Sequence, residues 1–527
     1  MQPTGRIALY TDEKKISRDN VISVLQRAMA YHNINANRIQ YLLDYEAGLQ
    51  PLQRKKKTRP DIDCQCVDNV ANEVTEFNLG FKWGNPITLV QNGSGKGEEI
   101  AEAVTELNSF YDMAKIKAKT QELGRFVEIG GVGYVYIDNN EDWQEGKSCF
   151  IYAVLDPRTA FVVRSNYYPD HRPMLGVTFR HDSISGNNYF TCFTNDERFE
   201  IENLQTIING EKKEKWQHRK RSGEINPFGI IPIVEYIRSY DRMGCFERQI
   251  PEMDNLNLMV SDFSNDVDQN TQAIWHSNDV EFPTVNVQNE DGTVTETTKK
   301  PGTNEWVMTY TSADGKQPSI TPLTVNYDYS GMLNNIVTRR QLILQKCNVP
   351  QRNDNSGGST GVAMSDATGW SQAETAAAKQ QLITDSNKME EVEVILAVIN
   401  NSANVPQDSP LRKLTVADVQ PNIKRQKTYE MTTKANAMAT LLSHGIYGED
   451  VLNAIPFFDD PNEVWQRSKE IIEKYQASVF DKSTDNKAVG GADEQTPNAD
   501  RIMSDLSDQV ENSPIIDKSR TDKQVIA

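Results

Sequence analysis

The stretch Glu247-Arg-Gln-Ile-Pro-Glu-Met-Asp-Asn-Leu-Asn-Leu-Met-Val-Ser-Asp-Phe-Ser-Asn-Asp-Val-Asp268 decides how this chain is organised. Met253, Leu256, Val260, Phe263, Val267 and Ile274 recur on one helical stripe, while Glu252, Asp254, Asp262, Asp266 and Asp268 fill the remaining circumference. The pattern predicts a helix from about Glu247 to Trp275. Its roughly 29 residues would run about 43 Å at 1.5 Å per residue, more than one small core needs. The block Asp279–Val325 that follows is Thr- and Val-rich, with Asp291-Gly292 and Asp314-Gly315 as expected hairpin turns. A helical pattern returns at Tyr327–Lys346. Helix, β lobe, helix predicts a projecting arm.

Downstream, Arg352-Asn-Asp-Asn-Ser-Gly-Gly-Ser-Thr-Gly361 reads as a flexible loop before a long helix from Trp370 through Ala376-Ala-Ala378 to Ile399. Further helices are expected at Ile423–Leu442, Gly448–Ala454 and Asn462–Tyr475, and a disordered polar tail thereafter. Upstream, Ser17 is placed as the cap of a helix carrying Val21, Val24, Leu25, Ala28, Ile39 and Leu42, with Asn33–Asn37 as its weak point. The basic run Arg54-Lys-Lys-Lys-Thr-Arg59 reads as a solvated linker rather than a phosphate contact, and a second amphipathic stretch surrounds Val67–Leu79. From Phe126 the period changes to two: Phe126–Ile129, Gly133–Ile137, Cys149–Val154, Ala160–Arg164, Met174–Arg180 and Tyr189–Thr194 are predicted as an antiparallel β region. Pro227 and Pro232 exclude a helix from its last segment, Ile225–Tyr236. The expected class is α+β and multi-domain.

The 527 residues suggest about three or four domains. With 56 Lys+Arg against 74 Asp+Glu, the formal charge of −18 is the wrong sign for gripping nucleic acid through the net field. No apolar run approaches the roughly 18–20 residues of a membrane span, and the first residues lack an apolar signal region, so cytoplasmic synthesis is expected. Six scattered cysteines make no disulfide scaffold, and Cys64-Gln-Cys66 lacks companions for a metal site.

No catalytic motif survives inspection. Asn92-Gly-Ser-Gly-Lys-Gly97 lacks the first glycine of a phosphate loop, and Gly97 stands where a Ser or Thr is required, so a surface turn is the better reading. Gly130-Gly-Val-Gly133 suits a hairpin or bulge between strands. The six histidines fall in no metal-ligand spacing. Neither enzyme activity, cofactor nor metal is expected. From periodicity alone the acidic helix is equally well read as a solvated face or as a lining that repels phosphate.

The segment Thr360-Gly-Val-Ala-Met-Ser-Asp-Ala-Thr-Gly-Trp-Ser-Gln-Ala-Glu-Thr-Ala-Ala-Ala-Lys379 resembles the tunnel-loop and long-helix stretch of tailed-bacteriophage portal proteins, of the siphophage type. Three more elements stand in that family's order: Asn35-x-x-x-Ile-Gln-Tyr-Leu-Leu-Asp-Tyr-Glu-Ala-Gly48, Asn226-Pro-Phe-Gly-Ile-Ile-Pro-Ile-Val-Glu-Tyr236 and Met253-Asp-Asn-Leu-Asn-Leu-Met-Val-Ser-Asp262. The likeness spans roughly residues 20–475. It implies a wing at 1–240, a first stem helix at 241–275, a clip at 276–325, a second stem helix at 326–350, a tunnel loop and long helix at 351–400, a helical crown at 401–480 and a polar tail at 481–527.

By the same resemblance the chain forms a ring, usually of twelve, at one capsid vertex, and conducts double-stranded DNA during packaging and ejection. Implied partners are the major capsid protein, the terminase large subunit, head-completion or adaptor proteins and a scaffolding protein, with no membrane. The virion is the implied location. Glu252, Asp254, Asp262, Asp266 and Asp268 become channel-lining candidates. Asn353, Asp354, Asn355, Ser356, Gly357, Gly358, Ser359, Thr360 and Gly361 become the tunnel loop, Lys379 and Lys388 candidate phosphate contacts, and the turns at Asp291, Gly292, Asp314 and Gly315 partner-docking points. The alternatives are a non-enzymatic oligomeric scaffold or partner-binding virion protein and, further off, a nucleotide-binding enzyme.

Overall fold

A computed structural model describes residues 4–52, 62–92, 98–144, 146–208, 211–271, 274–278, 284–288, 294–298, 318–323, 328–350, 369–423, 425, 431–455, 464, 465 and 467–474. In chain order the elements begin with β1 (Leu9–Thr11), α1 (Val21–Glu46), α2 (Val70–Trp83), β2 (Thr88–Gln91), α3 (Glu98–Met113) and α4 (Ile116–Gly130). Nine strands follow: β3 (Val132–Asn139), β4 (Phe150–Leu155), β5 (Ala160–Ser165), β6 (Pro173–His181), β7 (Asn188–Phe193), β8 (Glu197–Ile208), β9 (Glu211–His218), β10 (Glu224–Ile225) and β11 (Ile233–Ile237). Then come α5 (Ile250–Thr271), β12 (Ile274–Asn278), β13 (Thr284–Gln288), β14 (Val294–Thr298), β15 (Ser319–Leu323) and α6 (Tyr329–Lys346). The last are α7 (Trp370–Asn401), β16 (Val419–Asn422), α8 (Met431–Ser443) and α9 (Gly448–Ala454).

The chain divides into two compact units, one from residues 1–83 and 114–404, the other from 84–113 and 405–527. In the first, a seven-stranded sheet runs β1-β5-β6-β7-β8-β10, with β9 also on β8, and a three-stranded sheet runs β11-β3-β4. Hairpin pairing makes the large sheet antiparallel except where β1 lies parallel to β5, a pairing that the expected all-antiparallel region did not include. The α1 stripe Val21, Val24, Leu25 and Ala28 packs on Phe161, Val163, Val177, Cys192, Phe199 and Ile201 of that sheet. A second core joins Leu42 and Tyr45 of α1 with Val70 and Val74 of α2, Met253 and Leu256 of α5, and Ile336, Ile343 and Leu344 of α6.

Several expectations change. Asn20, not Ser17, is the N-cap of α1, and its side chain accepts from the Ser17 N–H at 2.8 Å. Asn33–Asn37 does not weaken that helix, because Asn35 is buried and bonds both the N–H and the C=O of Ile7 at 2.8 Å, docking the N-terminal segment. Phe126–Ile129 is helical, within α4. Its alternation misleads because Glu128, the polar residue within it, is buried. Gly130–Gly133 therefore lies at a helix end rather than between strands: Gly131 is the C-cap at φ 76°. A Cβ there would stand 2.3 Å from the Arg242 carbonyl oxygen, so the position needs glycine.

The acidic helix ends at Thr271, and Ile274 and Trp275 belong to β12. Its 22 residues span about 33 Å, shorter than the periodicity implied. Beyond it, β13 pairs with β14 across the segment that holds Asp291 and Gly292, whereas β15 pairs with β12 rather than with β14. The β12–β15 ladder ties together the two chain crossings between α5 and α6.

In the second unit β2 and β16 pair antiparallel, and the Asn92 N–H donates to Asp418 O at 2.8 Å. Lys413 reaches Glu99 at 3.2 Å. Residues 84–113 thus leave the N-terminal region and complete the unit built from 405 onward. Of the helix expected at Ile423–Leu442, Met431–Ser443 is described as α8, and Ile423, directly after β16, is not helical.

Candidate functional site

The arm is built on α5, whose circumference divides by partner. Met253 and Leu256 enter the core. Glu252 meets α6, with Arg339 at 3.7 Å and Lys346 at 3.4 Å. Asp254 accepts from the Tyr45 hydroxyl at 2.8 Å, and partial burial raises its carboxyl above the ordinary 3.8. Glu252 and Asp254 are therefore engaged inside the subunit. Asp262, Asp266 and Asp268 are half-buried.

Another face of α5 was not anticipated. Asn257, Ser261 and Asn265, four residues apart, are buried. The Asp68 N–H donates to Asn257 Oδ1 at 2.9 Å, the Cys66 N–H to Ser261 Oγ at 3.0 Å, and the Cys64 N–H to Asn265 Oδ1 at 2.7 Å. Asn265 Nδ2 returns a bond to Cys64 O at 3.3 Å. Four helical residues advance about 6 Å and two extended residues about 6.6 Å, so the side-chain ladder and the strap stay in step for three rungs. The strap's Cys64-Gln-Cys66 is thus bound through its backbone, and all six cysteines are free thiols. The sequence signal was the i, i+4, i+8 run of small polar residues beside the apolar stripe.

The long helix α7 is seated on a polar seam. Near its start, Ala373 and Ala377 pack with Phe81, with Trp370 and Phe77 against them. Further along, Gln380, Thr384, Asn387, Lys388 and Glu391 are buried. Gln380 Nε2 donates to Glu128 Oε1 at 2.6 Å and its Oε1 accepts from Lys82 Nζ at 2.6 Å. Asn387 Nδ2 donates to Ile237 O at 3.1 Å. Glu391 accepts from the Tyr152 hydroxyl at 3.1 Å and from that of Tyr236.

This seam corrects one expectation about DNA contacts. Lys388 is 1% exposed and its ammonium is 2.5 Å from Glu391, so within the subunit it does not face phosphate. A buried cation needs such a partner. Lys379, on the other side of the helix, is exposed.

Glu128 anchors the seam. Trp83 Nε1 and Gln380 donate to its Oε1, Arg238 Nε donates to its Oε2 at 2.9 Å, and Lys82 lies 3.5 Å from that oxygen. Burial alone would raise this carboxyl, but the two cations and their hydrogen bonds hold it at about 2. Lys82, with the longer contact, is pushed down to about 8, chiefly by burial and further by Arg238.

The tunnel-loop candidates Asn353–Gly361, the clip turns at Asp291, Gly292, Asp314 and Gly315, the run Arg54–Arg59, and Gly93–Gly97 lie outside the described residues. Among the described residues no three His, Cys, Asp or Glu side chains gather as metal ligands, and no helix is long and apolar enough to cross a membrane.

Over residues 14–478 the chain matches the family described as phage portal protein, SPP1 Gp6-like, and it belongs to that family. No curated protein matches it. Among solved structures it is similar to a chain of the "Neck of empty GTA particle computed with C6 symmetry", at 9% identity, covering 79% of this chain and 94% of that one with a TM-score of 0.37.

Proposed function

We propose that this portal-family chain assembles as a ring, of twelve copies on the family pattern, at one capsid vertex. The ring is the conduit for double-stranded DNA in packaging and ejection. Membership of the portal family over residues 14–478 carries this reading. In it, residues 1–83 and 114–240 supply the wing, α5 and α6 the stem, 276–325 the clip that meets terminase and head-completion proteins, 351–400 the tunnel loop and α7, and 401–480, together with 84–113, the crown. The major capsid protein and a scaffolding protein are the proposed neighbours.

The proposed mechanism is electrostatic and mechanical rather than catalytic. Twelve copies at −18 would give the ring a net charge of about −216, which disfavours any lasting grip on phosphate. Asp262, Asp266 and Asp268 are half-buried along α5 and remain the channel-lining candidates. Asn353–Gly361 is the proposed constriction and Lys379 the exposed candidate for phosphate contact.

Negative-stain imaging of the purified chain tests the reading. Class averages with rotational symmetry, a central hole and a mass of roughly 0.7 MDa, twelve times 59.5 kDa, are expected. Compact monomers at micromolar concentration that also fail to join capsid shells would sink it. Reversal of Asp262 and Asp266 to Lys should leave rings intact and slow DNA passage.

A further inference from the structure

One end of the seven-stranded sheet carries an aromatic and cationic platform. It is formed by the turn between β5 and β6 and by the residues in and after β1, the strand at that edge. The Arg172 guanidinium lies 3.6 Å over the Tyr168 ring, and Lys14 Nζ lies 4.7 Å from the centroid of Tyr167. The two tyrosines meet edge to face at 5.0 Å, and Tyr10 meets His171 in the same way at 5.2 Å. Tyr10 and Tyr167 are 49% and 51% exposed.

The platform is preorganised. The Tyr168 N–H donates to Ser165 Oγ at 2.9 Å, the His171 N–H to Tyr168 O at 3.0 Å, and the Asn166 N–H to Thr11 O at 2.9 Å. Asn166 Nδ2 also donates to Asp12 Oδ1 at 2.8 Å, and the Arg172 N–H donates to Asp170 Oδ1 at 3.4 Å. His171 is held at φ 50°, a left-handed conformation that a non-glycine residue adopts at a cost. Among the described residues neither Lys14 nor Arg172 forms an ion pair, whereas the adjacent Lys15 reaches Asp196 at 2.9 Å. At the other side of the sheet β9 reads Glu211-Lys-Lys-Glu-Lys-Trp-Gln-His218, the charged pattern that discourages edge pairing.

We propose that the Tyr10, Lys14, Tyr167, Tyr168 and Arg172 platform docks a second copy of this chain, whose surface carboxylates meet the two unpaired cations. Charge complementarity selects this occupant: the chain has 74 acids against 56 bases, so a second copy offers carboxylates. Exposed Tyr and Arg are also the side chains that most often anchor protein interfaces. Nucleic acid fits less well. The cations already cover faces of Tyr167 and Tyr168 that stacked bases would need, and two cations release few counterions against a charge of −18. The proposal rests on the ring reading above and adds which surface closes it.

The test is the concentration and salt dependence of assembly, followed by light scattering on the full chain. Lys14→Glu with Arg172→Glu is compared with the parent and with Lys212→Glu and Lys213→Glu on β9, a control of equal charge change. The platform variant should keep its far-UV circular dichroism, raise the assembly midpoint by about tenfold or more, and lose the parent's salt dependence. An unchanged midpoint, or an equal rise in the control, overturns the proposal while leaving the ring reading in place. A parent that stays monomeric throughout overturns both. Should the reversal fail to fold, Lys14→Gln with Arg172→Gln is judged by the same midpoint criterion.

Discussion

Glu128 carries more of the first unit's organisation than any residue that its local sequence would nominate. Its two oxygens accept from Trp83, Gln380 and Arg238, with Lys82 beside them, so α2, α4, α7 and the segment after β11 meet at one carboxylate. Replacing it by Gln leaves two largely buried cations short of a counter-charge, and a loss of about 3–5 kcal/mol is expected in urea unfolding. Its pH signature is specific. The folded carboxyl titrates near 2 against an ordinary 4.5, so its stabilisation is complete above about pH 4.5 and drains away as pH falls towards 2. Glu128→Gln should flatten that acid limb. Lys82 acts with the same sign in a different window: between about 8 and 10.5 the unfolded chain binds the proton that the folded chain has given up, so stability rises with pH there as well. Lys82→Met should abolish the alkaline rise and cost less than Glu128→Gln, because Arg238 still faces the carboxylate. Unfolding measured across pH separates the two variants.

At the scale of elements, the helices were legible and their ends were not. The apolar spacing of α1, α2, α5, α6 and α7 is visible in the chain, because helical periodicity is a local property. The end of α5 is not: Ile274 continues the apolar stripe, yet pairing of β12 with β15 takes the chain out of the helix. The strap was equally hidden, since Asn257, Ser261 and Asn265 look like a solvated face until Cys64–Asp68 is laid along them. Asn265→Leu should leave the Cys64 N–H and C=O without partners, cost about 1–3 kcal/mol, and speed amide exchange at residues 64–68. Gln65→Ala, on an exposed strap side chain, should stay within about 0.5 kcal/mol. Gly131→Ala combines a left-handed φ with a clash at the Arg242 carbonyl and is expected to cost more than about 1–3 kcal/mol in thermal unfolding.

At the scale of the whole molecule, the second unit is discontinuous in sequence. Asn92 Nδ2 donates to Ala417 O across 325 positions, and β2 supplies the partner of β16. Residues 405–455 expressed alone should therefore show poorly dispersed amide spectra, and a chain that links residues 84–113 to them should restore dispersion. The net charge of −18 belongs to the same scale. It disfavours a whole-surface grip on nucleic acid, and it makes Lys14 and Arg172 at the β1 edge, which form no ion pair among the described residues, conspicuous.

By itself the sequence determined the α+β class, the order of helix, strands and helix through α5, β12–β15 and α6, the long helix and membership of the portal family. These follow from short-range periodicity and from the order of motifs along the chain. Only the tertiary structure decided that Phe126–Ile129 is helical, that Lys388 is buried against Glu391, that Cys64–Asp68 straps α5, and that residues 84–113 complete a unit with 405 onward. The physical reason is common to all four. Each depends on partners distant in sequence, either a charge that neutralises a buried charge or a backbone that satisfies a buried polar side chain, and no local pattern encodes where such a partner will arrive.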